Sequence, residues 1–162
     1  RERGAIAGCH ILMMGDLKYG RTVRSLAYLL GKYEDVQIDF VSPEALKIGD
    51  DIKAYLDKHQ VTYTEQEDFT EVIQQADVVY QTRIQKERFA TPEEYAQYKG
   101  VYVLTPENTA SMKPEAVILH PLPRVGEIDP ALDTHPKAAY FRQVRYGLLV
   151  RMALLRTLCR GN

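Results

Sequence analysis

With 162 residues, of which 45% are apolar and 27% charged, the chain has the size and balance of one globular domain with a proper core, not two. Its formal net charge of -1 gives it no general attraction to nucleic acid or an anionic membrane surface, so any anion site must be local. No apolar run approaches the ~20 residues of a membrane span, and the small, polar stretch 1–8 has no signal-peptide pattern.

The first residue is arginine, which reads as a processed product or a fragment, with residues 1–8 a tail or the end of something upstream. Cys9 to Met14 predicts an apolar strand closed by Gly15 and Asp16. The loop Leu17 to Gly20 then feeds a helix over Arg21 to Lys32, with Val23, Leu26, Ala27, Leu29 and Leu30 on its apolar side. Arg21 and Thr22 stand at that helix start, where free backbone N–H groups and the dipole favour an anion. Neither a dinucleotide fingerprint nor a P-loop is present.

A second strand is expected over Val36 to Val41. Ser42-Pro43-Glu44 then predicts a helix from an N-cap and an N1 proline, running to about His59. Val61 to Tyr63 reads as a third strand and Asp68 to Gln75 as a short helix capped by Asp68. Asp77 to Gln81 is the fourth strand. It ends abruptly in Thr82, Arg83, Gln85, Lys86, Glu87 and Arg88, a cluster suited to a small, multiply anionic molecule. The polar connection Gln85 to Thr91 suits a lid, and Thr91-Pro92 opens a helix to about Lys99. Val101 to Leu104 reads as a short strand or an irregular extended segment, Pro106 to Met112 as a helix, and Ala116 to Leu119 as the last strand.

His120-Pro-Leu-Pro-Arg comes directly after it, a stiff turn whose backbone carbonyls are acceptors for an amino group. The final helical region starts at Pro136 to Arg142, and its main helix, Val144 to Cys159, is apolar over more than half its circumference. It calls for two neighbours, the sheet and a partner outside the chain. Cys9 and Cys159 read as reduced thiols, and His10, His59, His120 and His135 lack zinc spacing. Strands alternating with helices predict an α/β, three-layer Rossmann-like domain, with a mostly parallel sheet of about five strands and helices on both faces.

A solvated loop would explain any one polar cluster, but three of them come after apolar runs. Gly15-Asp-Leu-Lys-Tyr-Gly-Arg-Thr-Val, Thr82-Arg-Ile-Gln-Lys-Glu-Arg and His120-Pro-Leu-Pro-Arg resemble, in order and spacing, the aspartate carbamoyltransferase family. Tyr140-Phe-Arg-Gln and Arg151-Met-Ala-Leu-Leu extend the match, while Arg24 and Tyr146 depart from common family residues. The form Val23-Arg-Ser-Leu-Ala-Tyr-Leu-Leu looks most like plant-type sequences.

The resemblance covers nearly all of this chain but only the second half of such an enzyme. It implies carbamoyl transfer from carbamoyl phosphate to the amine of L-aspartate, in pyrimidine synthesis, without a cofactor or metal. It assigns Arg21, Arg83 and Gln85 to aspartate binding and leaves open which arginine takes which carboxylate. It points to the carbonyls around Pro121 and Leu122 as amine acceptors, with Leu122–Pro123 cis. Glu87 would orient Arg83, and Lys86 and Arg88 would help hold a closed lid.

The family's Ser-x-Arg-Thr phosphate site is absent, since neither Arg21-Thr22 nor Arg156-Thr157 has serine two residues before it. The expectation is therefore an aspartate-binding half over residues 1–162, inactive alone. Residues 1–8 would link it to a missing carbamoyl-phosphate domain, against which the helix 144–160 packs. Partners would be L-aspartate, carbamoyl phosphate through the missing domain, and two further copies in a homotrimer, with no nucleic acid or membrane. The compartment would be plastid or cytoplasm. Two alternatives stay open: an ornithine-type carbamoyltransferase, disfavoured by Pro121 and the Arg83/Gln85 pair, and a non-catalytic regulatory or scaffolding module.

Overall fold

The computed structural model describes residues 2–160, apart from the side chains of Arg88 and Arg160. In these residues five strands, β1 (His10–Met14), β2 (Gln37–Val41), β3 (Thr62–Gln66), β4 (Val78–Gln81) and β5 (Val117–Leu119), form one sheet ordered β3-β2-β1-β4-β5. Every pairing is parallel, and one row of partners runs Thr64, Asp39, Leu12, Val79, Ile118 across the sheet. Parallel strands need crossovers and are covered on both faces, which is why the β1 run His-Ile-Leu-Met-Met is apolar without a polar alternation.

Two cores result, one on each face. Ile11, Met13, Ile38 and Phe40 pack with Val23, Ala27 and Leu30 of α1 (Arg21–Leu30) and Ile52 and Leu56 of α2 (Asp50–Lys58). On the other face Leu12, Met14, Val79 and Ile118 pack with Ile73, Tyr102, Leu104, Leu132 and Tyr140. The layers are therefore helix, sheet and helix, as the alternation of elements implies.

Several local expectations give way to tertiary demands. The helix read from Ser42 to His59 is a single 3-10 turn, Glu44–Leu46, followed by an extended Lys47; α2 begins only at Asp50. Continuing the helix would misplace Leu46 and Ile48, both buried, and the Leu46 carbonyl that accepts the Leu17 N–H at 3.2 Å. Asp68 does cap, but it closes a turn, accepting from the Thr70 N–H at 2.8 Å, and only Val72–Gln74 is helical, as a 3-10 turn. The third strand is Thr62–Gln66, since its partners on β2 extend to Val41.

Thr91 caps α3 through Glu94 N–H, but α3 (Pro92–Ala96) is short, and so is α4 (Pro106–Thr109), which starts on a Thr105/Asn108 capping box. Val101 to Leu104 joins the fold through one bridge, Leu104 to Ile128. The last helix, α5 (Tyr140–Arg160), is continuous from Tyr140.

Only the start of α5 is buried. Val144, Leu148, Val150, Met152, Leu155 and Leu158 lie exposed, Leu158 by 74%. Beside it a groove of ≈ 720 Å³ opens between α1 and α5, floored by Ile11, Val78, Val117 and Leu119. No helix of the described residues is long and apolar enough to cross a membrane.

Asp39 is the polar exception in the central row. It is buried on β2, where Thr64 donates to its Oδ1 at 2.7 Å and the His10 ring Nε2 lies 2.5 Å from Oδ2. Burial pushes this carboxyl up, but the hydrogen bonds from His10 and Thr64 outweigh it and hold the carboxyl below its ordinary value of 3.8. A carboxylate with a depressed folded pKa stabilises above its unfolded pKa and loses that contribution as pH falls through the folded one. Urea midpoints should therefore fall as pH drops below about 4. Asp39→Asn should flatten that acid limb and cost about 1–3 kcal/mol at neutral pH, measured by equilibrium denaturation.

Candidate functional site

In the order β3-β2-β1-β4-β5 the chain leaves β1 towards one side of the sheet and β4 towards the other. The loops after those two strands diverge and leave a crevice at the carboxyl edge, the usual ligand position of open α/β sheets. The loop after β1 carries Gly15 to Gly20, that after β4 carries Thr82 to Gln85, and that after β5 carries His120 to Pro123. All three clusters singled out in the sequence thus lie along one edge, on three adjacent strands.

The two central loops are locked together at their roots. Thr82 N–H and Oγ1 both donate to the Met14 carbonyl, at 2.9 and 3.0 Å. Gly15 has φ +112, and a Cβ there would sit 2.3 Å from the Thr82 carbonyl oxygen. Only glycine supplies both that backbone conformation and that approach. Asp16, buried, accepts from Tyr19 N–H at 2.9 Å and so bends the loop into α1.

Arg21 opens α1 with an exposed side chain that has no hydrogen bond or ion pair among the described residues. Arg83 is half-buried, with Nη2 3.7 Å from Glu87 Oε1 four residues on. Gln85 is partly buried and Lys86 exposed, one on each side of the start of the 3-10 turn Lys86–Arg88. The Arg88 side chain lies outside the described residues. Arg83 itself lines a cleft of ≈ 150 Å³, together with Gln81, Tyr95, Tyr98, Tyr102 and Glu127.

The β5 loop contains the cis bond at Leu122–Pro123, and Leu122 has φ 54. The carbonyl oxygens of Pro121 and Leu122 receive no hydrogen bond among the described residues, so both are open to an incoming N–H. Arg124, last in this motif, is occupied structurally. It forks onto both oxygens of Asp133, with Nη2 to Oδ2 at 2.5 Å, and lies over the Tyr140 ring. The Arg124 bond holds the Asp133 carboxyl below its ordinary range, with help from the Tyr140 hydroxyl. Burial and the bond to Asp133 push that hydroxyl up to about 12.

Two further residues support this loop: Glu127, which no sequence motif singles out, and Gln143, which enters only as the end of the Tyr140-Phe-Arg-Gln match. Gln143, on α5, accepts the His120 N–H at 3.1 Å. Glu127 accepts from the His120 ring at 2.7 Å and from the Val125 and Gly126 N–H groups at 3.1 and 3.0 Å. Burial raises its carboxyl, but these bonds outweigh burial and hold it at about 2. The signal available in the sequence was a lone carboxylate seven residues after a histidine, in a segment with no helical or strand period.

An exposed arginine, a half-buried one and two carbonyls that accept no hydrogen bond among the described residues thus share the switch edge of a parallel sheet in an α/β domain. Comparison with known proteins narrows the class. Residues 7–158 match the family model described as aspartate/ornithine carbamoyltransferase, Asp/Orn binding domain, and the chain belongs to that family.

The chain is 52% identical over 162 residues to aspartate carbamoyltransferase 3, chloroplastic, of Pisum sativum, covering 99% of this chain and 41% of that relative. The aspartate transcarbamoylase catalytic subunit of M. jannaschii superposes with a TM-score of 0.91 at 45% identity, covering 99% of this chain and 52% of that one. The Trypanosoma cruzi aspartate transcarbamoylase in complex with N-(phosphonacetyl)-L-aspartic acid gives 0.86 at 37% identity, over 95% of this chain and 50% of that one. The chain therefore spans about half the length, or less, of these relatives.

Gly15→Ala tests the locked roots. With Cβ forced against the Thr82 carbonyl at positive φ, it should cost at least about 2 kcal/mol, read as a lowered urea midpoint with an unchanged slope.

Proposed function

We propose that this chain is the L-aspartate-binding half of an aspartate carbamoyltransferase, which transfers the carbamoyl group of carbamoyl phosphate to the amine of L-aspartate, yielding N-carbamoyl-L-aspartate and phosphate for pyrimidine synthesis. The observation that carries this reading is the placing of two arginine forks and two open carbonyls on one sheet edge. Aspartate has two carboxylates and one amine. Arg21 and Arg83 would take the carboxylates, with Gln85 as an added donor, since a guanidinium matches a carboxylate with paired, charge-assisted hydrogen bonds.

The Pro121 and Leu122 carbonyls would accept from the amine and aim its lone pair. That amine is the nucleophile: its nitrogen bonds to the carbamoyl carbon, the bond from that carbon to the phosphate oxygen breaks, and the proton that the amine sheds leaves with the departing phosphate. No nucleophilic side chain is required, and catalysis is positioning plus stabilisation of charge on the carbonyl and the departing phosphate. Lys86, Glu87 and Arg88 would serve the lid. Arginines and an amide donor suit a second carboxylate, whereas ornithine would present a second amine, and the relatives from pea and M. jannaschii are aspartate enzymes.

Carbamoyl phosphate would be held by a preceding domain, with the full enzyme a homotrimer. The exposed apolar side of α5 and the adjoining groove support a domain partner there. Plastid residence is the reading for a plant source, as for the chloroplastic pea relative, and the cytoplasm otherwise.

The direct test is carbamoyl-aspartate formation by this chain alone and by the chain extended through its upstream domain. Turnover should appear only in the extended form, and turnover by the 162-residue chain would overturn the division of substrates. In the extended form Arg83→Ala should lower kcat/KM for aspartate about 100-fold, the equivalent of about 3 kcal/mol from a lost charge-assisted fork. The isolated chain should bind a hydrophobic dye that the extended form does not.

A further inference from the structure

We propose that Glu127 is a positioning residue for aspartate: acting through His120, it holds the turn whose carbonyls receive the substrate amine. The inference rests on the aspartate-binding reading and adds a residue to it. Leu122 occupies the left-handed region at φ 54, which a leucine does not adopt unaided. The bond that holds it is local: its N–H donates to His120 Nδ1 at 2.8 Å.

That bond settles the ring's tautomer. Nδ1 is an acceptor, so a neutral ring carries its proton on Nε2, and Nε2 faces Glu127 Oε1 at 2.7 Å. The second oxygen of the same carboxylate takes the N–H groups of Val125 and Gly126. One side chain thus ties the residue before the Pro121–Pro123 turn to the residues after it.

Glu127 is itself fixed from behind, because its carbonyl accepts the Leu104 N–H at 3.0 Å while Asp129 N–H returns to Leu104 O at 2.8 Å. His120 is 1% exposed, so its ring serves the turn from inside. Glu127 carries this role because an ionised carboxylate only accepts, and all three groups facing it are donors.

Glu127→Gln keeps the shape and puts an NH₂ where one of those donors now points. Either the Val125 and Gly126 bonds are lost or the His120 ring must accept at Nε2, moving its proton to Nδ1 against the Leu122 N–H. In the full enzyme carrying this chain, the aspartate KM should rise at least 10-fold while the carbamoyl phosphate KM changes less than 2-fold. A general loss of structure would not produce that split. Because the effect runs through His120, the double variant Glu127→Gln/His120→Gln should be no more than 2-fold worse than the poorer single variant.

An unchanged aspartate KM in Glu127→Gln, equal losses for both substrates, or additive losses in the double variant would each overturn the proposal. If Glu127→Gln fails to fold, His120→Gln carries the same KM comparison, and an unchanged aspartate KM or equal losses there would overturn it too. A wild-type enzyme without carbamoyltransferase activity would defeat the parent reading, whereas an active wild type with an unaffected Glu127→Gln defeats this one alone.

Discussion

At the ends of the two central strands, Thr82 reaches across to the Met14 carbonyl and Gly15 lies against the Thr82 carbonyl, closer than any side chain would permit. The placing of the two central loops depends on this junction. Five parallel strands end on one edge, and the order β3-β2-β1-β4-β5 parts the connections there. The junction fixes the spacing of the parted loops, because Thr82 is bound through both its backbone N–H and its Oγ1 to the last carbonyl of β1, with Gly15 packed against it. Arg21 and Arg83 are then carried on two loops with a common root, one at a helix start and the other just beyond a strand.

The third loop is held by different means. Proline removes donors at positions 121 and 123, and the carbonyls of Pro121 and Leu122 are left open. Such a segment cannot be stabilised by a ladder, so side chains hold it instead. Glu127 and His120 fix the turn, Gln143 ties it to α5, and Arg124 with Asp133 and Tyr140 anchors the segment beyond it. This explains why the motif ends in an arginine that faces no open site. Its fork is already filled by a carboxylate of its own chain.

Polar groups in the interior obey the same logic of complete pairing. Asp39 interrupts an apolar row, yet both of its oxygens meet a partner from a neighbouring strand. The apolar side of α5 is the opposite case, a surface of leucines and valines with nothing over it among the described residues. A soluble domain seldom exposes so contiguous an apolar face unless another body covers it.

The order of strands and helices, the two-sided burial of the sheet and the identity of the three polar clusters were legible in the sequence alone. They depend on local period and on residue types that have few other uses: an apolar strand run, Thr91 before proline, arginines after a strand, two prolines flanking a leucine. The sequence also pointed to the Arg83–Glu87 contact, because four residues separate them. It misled where local propensity competes with packing. Ser42-Pro43-Glu44 has every helix-start signal, but Leu46 and Ile48 are required in the core and the Leu46 carbonyl is required by Leu17, so only one turn forms. Glu127, Gln143 and the Gly15–Thr82 approach were decided by tertiary structure only. Each joins residues that are unrelated by any helical or strand period, and such bonds exist only once the sheet has set its loops side by side.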